Sequence, residues 1–158
     1  MLTDYVVIDL EMTGLNAKTD RILEAGAARV RGNVVTAAFS EIINPKRELS
    51  EKVISLTGIT NEMAVQGKEM DATLMAFLDF IGEDILVGQN VIFDYSFLKQ
   101  WAVNHKRTFE RNAVDTLKLA RKFLPQEQKK DLASLCSYFG IERVHAHRAP
   151  VSYTHLRA

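Results

Sequence analysis

The pattern of apolar and polar positions along the chain indicates four β-strands. Three of them open the chain as runs rich in β-branched residues, and a shorter apolar run follows later. The Gly32–Asn33 pair between the second and third runs is typical of a tight hairpin. The predicted strands are Tyr5–Leu10, Ile22–Val30, Val34–Ile43 and Ile85–Val87.

Apolar residues at helical spacing fill much of the remaining chain. The first predicted helix stops near Gly58, a residue type typical of helix ends, while Asp71 and Asp131 are the expected N-caps of two others. The predicted helices are Leu49–Leu56, Asp71–Ile81, Phe93–Asn104, Thr116–Phe123 and the segment from Asp131 to just before Gly140. Three strands followed by alternating helices and a further strand predict a mixed α/β domain.

Composition fits one packed domain. The chain has 158 residues, of which 47% are hydrophobic and 25% charged, enough for a core without disulfides or a structural metal. With a single cysteine, Cys136, the chain can form no internal disulfide, which fits a reducing cytoplasm. Asp9 and Glu11 interrupt the amino-terminal apolar run, so we expect a cytoplasmic protein with neither a signal peptide nor a membrane span.

Charge is unevenly distributed along a chain whose formal net charge is zero. Residues 1–98 carry eight basic and fifteen acidic side chains, whereas residues 99–130 carry nine basic and three acidic ones. An acidic half beside a basic segment suits a site in which carboxylates hold cations and Lys or Arg meets phosphates. From charge alone, ordinary solvated helix faces are the favoured interpretation.

Two carboxylates interrupt the first strand. Side chains alternate along a strand, so Asp9 and Glu11 are expected on one face together with Val7. Such a pair is costly to bury unless a cation neutralises it, and an oxygen cluster suits Mg²⁺ or Mn²⁺. An isolated Asp-x-Glu is more often the wet face of an edge strand. The glycine that follows, Gly14, favours the metal site because it would let another backbone or a terminal sugar approach closely.

Three further acidic residues have competing interpretations. Asp94 opens a helix after the fourth strand, where a carboxylate is also a common capping device, so its position alone favours a structural role. Asp115 is expected to cap the helix that begins at Thr116. Glu24 is expected to be an inward polar support or an exposed strand residue rather than a metal ligand.

Two histidines alternate near the end of the chain. His145 and His147 could both bind a softer metal such as zinc, but no Cys or Glu at zinc spacing accompanies them. A histidine beside carboxylate-bound ions is better explained as a general base, because its ordinary pKa is near neutral. We expect His145 to be a surface loop residue, which leaves His147 as the candidate base.

The chain carries an ordered set of motifs: DLEMTGL, LTGIT, GQNVIFD, VDTLKLAR and HRA. This set resembles the DEDDh 3′-5′ exonucleases, especially the proofreading epsilon subunits and exonuclease domains of bacterial replicative DNA polymerases, and the resemblance covers Tyr5 to Ala149. It implies a ribonuclease H-like fold with a mixed five-stranded sheet flanked by helices. It also implies hydrolysis of the 3′-terminal phosphodiester by two metal ions, Mg²⁺ or Mn²⁺. The implied partners are single-stranded or frayed 3′ ends of DNA, and a DNA polymerase subunit.

Carried over position by position, the resemblance implies a set of site residues. Asp9, Glu11 and Asp94 match the first three metal carboxylates, and His147 matches the histidine that activates water. The residues at the substrate-binding positions are Met12, Thr13, Gly14 and Leu15 against the 3′-terminal nucleotide, Thr57 and Gly58 in the loop beside its base and sugar, and Asn90 and Phe93 around the third carboxylate.

The chain departs from the family pattern at its end. The family has His-x-Ala-x-x-Asp, whose aspartate is the fourth metal carboxylate, but Ser152 occupies that position here. The string PVSYTHLRA lacks an apolar helical pattern and looks like translated sequencing-adaptor read-through. We therefore interpret residues 1–149 as a C-terminally truncated exonuclease domain and residues 150–158 as a non-native tail.

Two alternatives to a DNA exonuclease stay open. The opening motif DLEMTGL is also very similar to that of oligoribonucleases, which would make short RNA the substrate. Ser152 favours a catalytically impaired nucleic-acid-binding or polymerase-docking module, whereas the intact Asp9, Glu11, Asp94 and His147 favour an enzyme.

Overall fold

Three long strands form the antiparallel half of a five-stranded sheet in the computed structural model, which describes residues 1–140. β1 (Tyr5–Met12) pairs with β2 (Ile22–Arg31), which pairs with β3 (Val34–Ile42). Gly32 and Asn33 join β2 to β3 with φ of 55° and 64°, the positive values that a type I′ turn requires. The predicted hairpin and its strands are thus confirmed, with ends shifted by at most two residues.

Two short parallel strands complete the sheet beside β1. β4 (Leu86–Gly88) pairs with β1, and β5 (Ala113–Asp115) pairs with β4, which gives the order β3-β2-β1-β4-β5. β4 was predicted within one residue. β5 was not predicted, because three residues with only Asp115 buried are too few to show a periodic pattern.

Helices occupy most of the connections between and after the strands. They are α1 (Glu51–Thr57), α2 (Asn61–Val65), α3 (Met70–Ile81), α4 (Val91–Asn104), α5 (Thr116–Phe123) and α6 (Leu132–Tyr138). The predicted helices are confirmed, with α4 beginning two residues earlier than expected. The five-residue helix α2 escaped prediction because it is barely longer than one turn.

The predicted N-cap of α3 is wrong. The Glu69 carboxylate caps this helix, accepting hydrogen bonds from the backbone N–H groups of Asp71 and Ala72 at 2.9 and 2.7 Å. Asp71 instead accepts a hydrogen bond from Trp101 Nε1 at 3.0 Å. Shorter polar side chains are the usual N-caps, so the sequence pattern did not indicate a glutamate at this position. Asp131 does cap α6, through Ser134 N at 2.9 Å.

The two faces of β1 pack against different surroundings. Val6, Ile8 and Leu10 join the main core, which contains Leu74, Phe77 and Ile81 of α3 and Phe97, Leu98 and Trp101 of α4. Val7 points to the opposite face, where it clusters with Val30 and Val87. Cys136 is buried. In the described part of the chain, no helix has the length and apolar character that a membrane span needs.

Candidate active site

The carboxylates of β1 lie on the face of the sheet opposite the α3 and α4 core. Because the side chains of β1 alternate, Asp9 and Glu11 follow Val7 on its face, as predicted. Asp9 is paired across the ladder with Gly26, which has no side chain, and Glu11 with Glu24. Asp9 Oδ2 is shielded from solvent. One oxygen of this half-buried carboxylate therefore lies inside the protein, in the second half of the central strand.

Asp94 approaches β1 from the neighbouring helix. β4 pairs with β1 only at Val6 and Val7, so the chain turns into α4 while β1 continues past it. This leaves the Leu10 N–H, on the β4 side of β1, without a strand partner. Asp94 Oδ2 accepts that N–H at 3.2 Å, and the side chain of Asp94 is only 5% exposed.

The capping interpretation of Asp94 is therefore wrong. The N-cap of α4 is Asn90, and the hydrogen bond of Asp94 joins α4 to a strand residue 84 positions earlier in the chain. This hydrogen bond brings the carboxylate of Asp94 to the backbone between Asp9 and Glu11. The three acidic residues matched to metal carboxylates thus come from two elements that the sheet topology makes adjacent.

The carboxylates in this region repel one another. Burial is the largest influence that raises the pKa of Asp94 well above its ordinary value, and the charge of Asp9 raises it further. Glu11 and Asp115 add smaller repulsions, while the hydrogen bond from Leu10 N–H opposes them. Like charges this close disfavour one another's ionised form, which is the cost that a bound cation would offset.

Asp115 has a second role that its sequence position did not reveal. Asp115 Oδ1 accepts from Leu117 N at 2.9 Å, which confirms the predicted cap of α5. The same oxygen accepts from Asn90 N at 2.9 Å and so fixes the turn that leads into α4. Asn90 adopts the left-handed conformation, with φ 55° and ψ 41°. A carboxylate that ends a strand beside β4 thereby supports the segment carrying Asp94.

Glu24 is an inward residue. Only 1% of it is exposed, so of its two predicted alternatives the buried one is confirmed. It lies directly across from Glu11 in the ladder, beside the carboxylate cluster.

The loop after β1 is held together by Asp20. Its carboxylate accepts hydrogen bonds from Thr13 Oγ1 at 3.2 Å and Asn16 N at 3.0 Å. A β-carbon on Gly14 would lie 2.5 Å from Asp20 Cγ, so the glycine leaves room for this side chain rather than for a passing backbone. Leu15, at the tip of the loop, is 80% exposed.

The other predicted substrate-binding residues lie at the end of α1 and at the start of α4. The Thr57 side chain is buried: its hydroxyl donates to Val53 O at 2.8 Å and accepts from Ile59 N at 3.1 Å. Gly58 is exposed, with φ 73°. Phe93 is half-buried and packs on Phe97 at 5.5 Å between ring centroids. The hydroxyl of Thr57 thus stabilises the end of α1 and the turn that follows it.

Some side chains of the basic segment, residues 99–130, form local contacts. Lys99 pairs with Glu110, and Arg111 lies 3.1 Å from a carboxylate oxygen of Glu83 and donates to a backbone carbonyl. Lys118, Arg121 and Lys122 are exposed on α5. The exposed cations of α5 fit ordinary solvated helix faces, the interpretation that charge alone favoured.

The chemistry of the available side chains decides which metal ion this site could hold. Among residues 1–140, no group of three or more His, Cys, Asp or Glu side chains is positioned to hold an ion. The chemistry of Asp9, Glu11 and Asp94 nevertheless fits a hard divalent cation, since all their donors are oxygens and their charges repel one another. His147 and residues 150–158 lie outside the described residues.

A mixed sheet of this order, with carboxylates gathered at the end of its central strand, has the architecture of a ribonuclease H-like nuclease core. The chain belongs to the Exonuclease family (RNase T type), which matches residues 6–150. This confirms the family resemblance drawn from the motifs.

Individual relatives agree with the family assignment. The chain is 36% identical to the DNA polymerase III subunit epsilon of Aquifex aeolicus over 146 residues, covering 92% of this chain and 72% of that protein. It is 39% identical over 150 residues to the PolC-type DNA polymerase III of Bacillus subtilis, where 92% of this chain aligns with only 10% of the relative.

Solved structures share the fold. Exonuclease I of E. coli in complex with a dA16 oligonucleotide superposes with a TM-score of 0.84 at 18% identity, covering 99% of this chain and 39% of that one. The ribonuclease H-like fold expected from the resemblance is confirmed. The chain spans about two fifths of exonuclease I and about a tenth of the PolC-type polymerase.

Proposed function

We propose that this chain is the core of a 3′-5′ exonuclease that hydrolyses the 3′-terminal phosphodiester of DNA and releases nucleoside 5′-monophosphates, in proofreading or repair. One observation supports the proposal. The buried carboxylate of Asp94 is hydrogen-bonded to Leu10 N–H, between Asp9 and Glu11, so the three acidic residues that the family resemblance matches to metal carboxylates lie near one another.

Asp9, Glu11 and Asp94 would hold Mg²⁺ or Mn²⁺. When bound, two divalent ions supply an activated water and stabilise negative charge on the attacking and leaving oxygens. The carboxylates would hold these ions, and burial of Asp94 keeps its position fixed relative to β1. Asp115 fixes the backbone at Asn90 and so keeps the first turn of α4 in place.

His147 would accept the proton of the attacking water. Its ordinary pKa lies near neutral, which lets imidazole act as a base at the pH of a cell. We expect no such role for the neighbouring His145. The two histidines are separated by one residue, so each is the natural control for substitution of the other.

The loop after β1 would receive the 3′-terminal nucleotide. Leu15 is exposed at its tip and offers an apolar surface on which a base can pack. Gly58 and Phe93 would border the same nucleotide from the other two segments. Single strands and frayed ends would be preferred because a paired end must first be unstacked. The crystal structure of exonuclease I with an oligonucleotide supports this substrate class.

The end of the chain would limit its activity. Ser152 stands at the position of the family's fourth carboxylate, and a hydroxyl carries no charge with which to hold a divalent ion. The family match ends at residue 150, so residues 151–158 of the proposed non-native tail, residues 150–158, lie beyond it. We propose that the chain binds metal weakly and has low nuclease activity until a carboxylate on a family-like helix replaces that tail.

Names of relatives suggest the partner. The chain is similar to an epsilon subunit and to PolC-type polymerases, so we propose that it works with a DNA polymerase subunit. Pull-down with a bacterial replicative polymerase subunit would test this part separately from catalysis.

Metal binding is the first experiment. Isothermal titration calorimetry should detect Mn²⁺ binding to the chain as it stands, and the Asp9→Ala, Asp94→Ala double variant should lose it. An Asp4→Ala, Asp79→Ala variant removes the same charge from residues outside the cluster and should bind Mn²⁺ normally. Equal Mn²⁺ affinity in the chain and in the Asp9, Asp94 variant would show that the cluster is not the metal site.

A further inference from the structure

A groove lies between the loop that follows β1 and helices α3 and α4. It consists of two adjoining cavities of about 330 and 790 Å³. The residues that line both cavities are Ala17, Lys18, Asp20 and Gln100. Leu15 borders one cavity and His105 borders the other, so the groove extends from the tip of the loop towards the end of α4.

The two carboxylates in this groove already have partners. Asp20 accepts two hydrogen bonds within its own loop, and Arg47 Nη1 lies 3.8 Å from it. Asp71 accepts from Trp101 Nε1 at 3.0 Å and lies 3.0 Å from His105 Nε2. Hydrogen bonding holds these two carboxylates in place without removing their charge, so the groove attracts an anion through the cations that outnumber them.

Three cations line the same groove. Lys18, Arg21 and Arg47 are all exposed along its walls. Arg47 also donates to Thr19 O at 3.0 Å, so its guanidinium is held against the loop. The cations come from two separate segments of the chain, which converge on one concave surface. Such a surface attracts a phosphate backbone without reading its bases.

The loop fixes these cations relative to the active site. Thr13 N donates to Arg21 O at 2.9 Å, and Asp20 N donates to Asn16 O at 2.7 Å. Lys18 N donates to Asn16 Oδ1 at 2.9 Å. The segment that would touch the 3′-terminal nucleotide and the segment that carries the cations are therefore one hydrogen-bonded unit.

We propose that this groove binds the backbone phosphates of single-stranded DNA upstream of its 3′-terminal nucleotide, an inference that rests on the proposed function. The terminal nucleotide lies against the loop tip at Leu15, and the strand continues over Lys18, Arg21 and Arg47. Oligonucleotides long enough to reach these cations bind more tightly than very short ones, and the added affinity depends strongly on salt.

The test measures binding of 5′-fluorescein-labelled oligothymidylates by fluorescence anisotropy, with non-hydrolysable phosphorothioate linkages at the 3′ end. A trinucleotide and a dodecanucleotide are compared over a range of salt concentrations. The groove variant carries three substitutions together: Lys18→Gln, Arg21→Gln and Arg47→Gln. The control is Lys52→Gln, Lys106→Gln, Lys122→Gln, which removes the same charge from exposed residues outside the groove.

Each phosphate contact on a single strand contributes about 0.7 to the slope of log affinity against log salt. The groove variant should therefore bind the dodecanucleotide with a slope smaller by about 2, while its affinity for the trinucleotide changes less than about twofold. The control should bind both oligonucleotides like the parent chain. If the groove variant fails to fold, the single Lys18→Gln variant should still lower the slope by about 0.7.

Two results would refute the proposal that the groove binds backbone phosphates. Equal slopes in the groove variant and the parent chain would show that the phosphates lie elsewhere, and equal losses in variant and control would show only a general charge effect. Failure of the parent chain to bind either oligonucleotide would instead refute the proposed DNA substrate itself. If the parent chain binds the trinucleotide and the dodecanucleotide equally tightly, the groove does not bind phosphates, and the proposed function is unaffected.

Discussion

Replacing Asp94 with asparagine should stabilise the metal-free protein while removing a proposed metal ligand. The side chain is 5% exposed and is repelled by Asp9 and Glu11, so its charge is unfavourable in the folded state. An asparagine oxygen can still accept the hydrogen bond from Leu10 N–H. We expect a gain of about 1–2 kcal/mol, the usual size for relief of an unfavourable functional site. For a chain of 158 residues this raises Tm by about 5 °C.

The gain should depend on pH with a definite sign. The pKa of Asp94 is raised in the folded state above the ordinary 3.8. Below pH 3.8 the group is protonated in both the folded and the unfolded chain, and the substitution should change little. As pH rises from 3.8 through the folded pKa, the unfolded chain releases its proton first, so wild type loses stability relative to Asp94→Asn.

Thermal denaturation with EDTA, at acidic and at neutral pH, measures this effect. Asp131→Asn is the matched control, because the hydrogen bonds from Ser134 lower the pKa of that capping carboxylate. Its contribution is present above the unfolded pKa and lost as pH falls, so this control should be less stable than wild type at neutral pH. If Asp94→Asn is no more stable than wild type at neutral pH, the carboxylates are not gathered as described.

Three further predictions concern the loops and the general base. Gly14→Ala should cost about 1–3 kcal/mol in a urea titration, because the new β-carbon displaces the Asp20 carboxylate; an unchanged midpoint would contradict this. Thr57→Val should cost about 1–3 kcal/mol by leaving a buried N–H without its acceptor, and Thr57→Ser should recover most of it. In a variant with a family-like helix in place of residues 150–158, His147→Ala should lower kcat by about 10²–10⁴-fold and His145→Ala much less. Equal effects of the two substitutions in an initial-rate assay would refute His147 as the general base.

Long periodic elements could be predicted from the sequence, and short ones could not. The alternation of β1, β2 and β3 extends over eight to ten residues, and their ends were found within two residues. The three residues of β5 and the five of α2 are too few to establish a period. Glu69 caps α3 through a longer side chain than the usual caps, which no local pattern indicated.

In the site, too, features set by neighbouring residues could be predicted, whereas features set by contacts between distant residues could not. The common face of Asp9 and Glu11 follows from strand alternation alone. The role of Asp94 depends on a hydrogen bond to Leu10, 84 residues away, so its own surroundings suggested a cap and only the family resemblance suggested a ligand. Asp115 supports the turn at Asn90 because β4 and β5 are neighbours, a pairing that the sequence did not reveal.

Digestion of a labelled oligonucleotide tests the central claim most directly. The protein tested is a variant in which a family-like helix with an aspartate at position 152 replaces residues 150–158. The substrate is a 5′-labelled single strand, and the reaction contains Mn²⁺. We predict stepwise shortening from a free 3′-hydroxyl end, none from a blocked 3′ end, and none with Asp9→Ala. Undiminished digestion of the blocked strand, or full activity in Asp9→Ala, would contradict a 3′-5′ exonuclease built on these carboxylates.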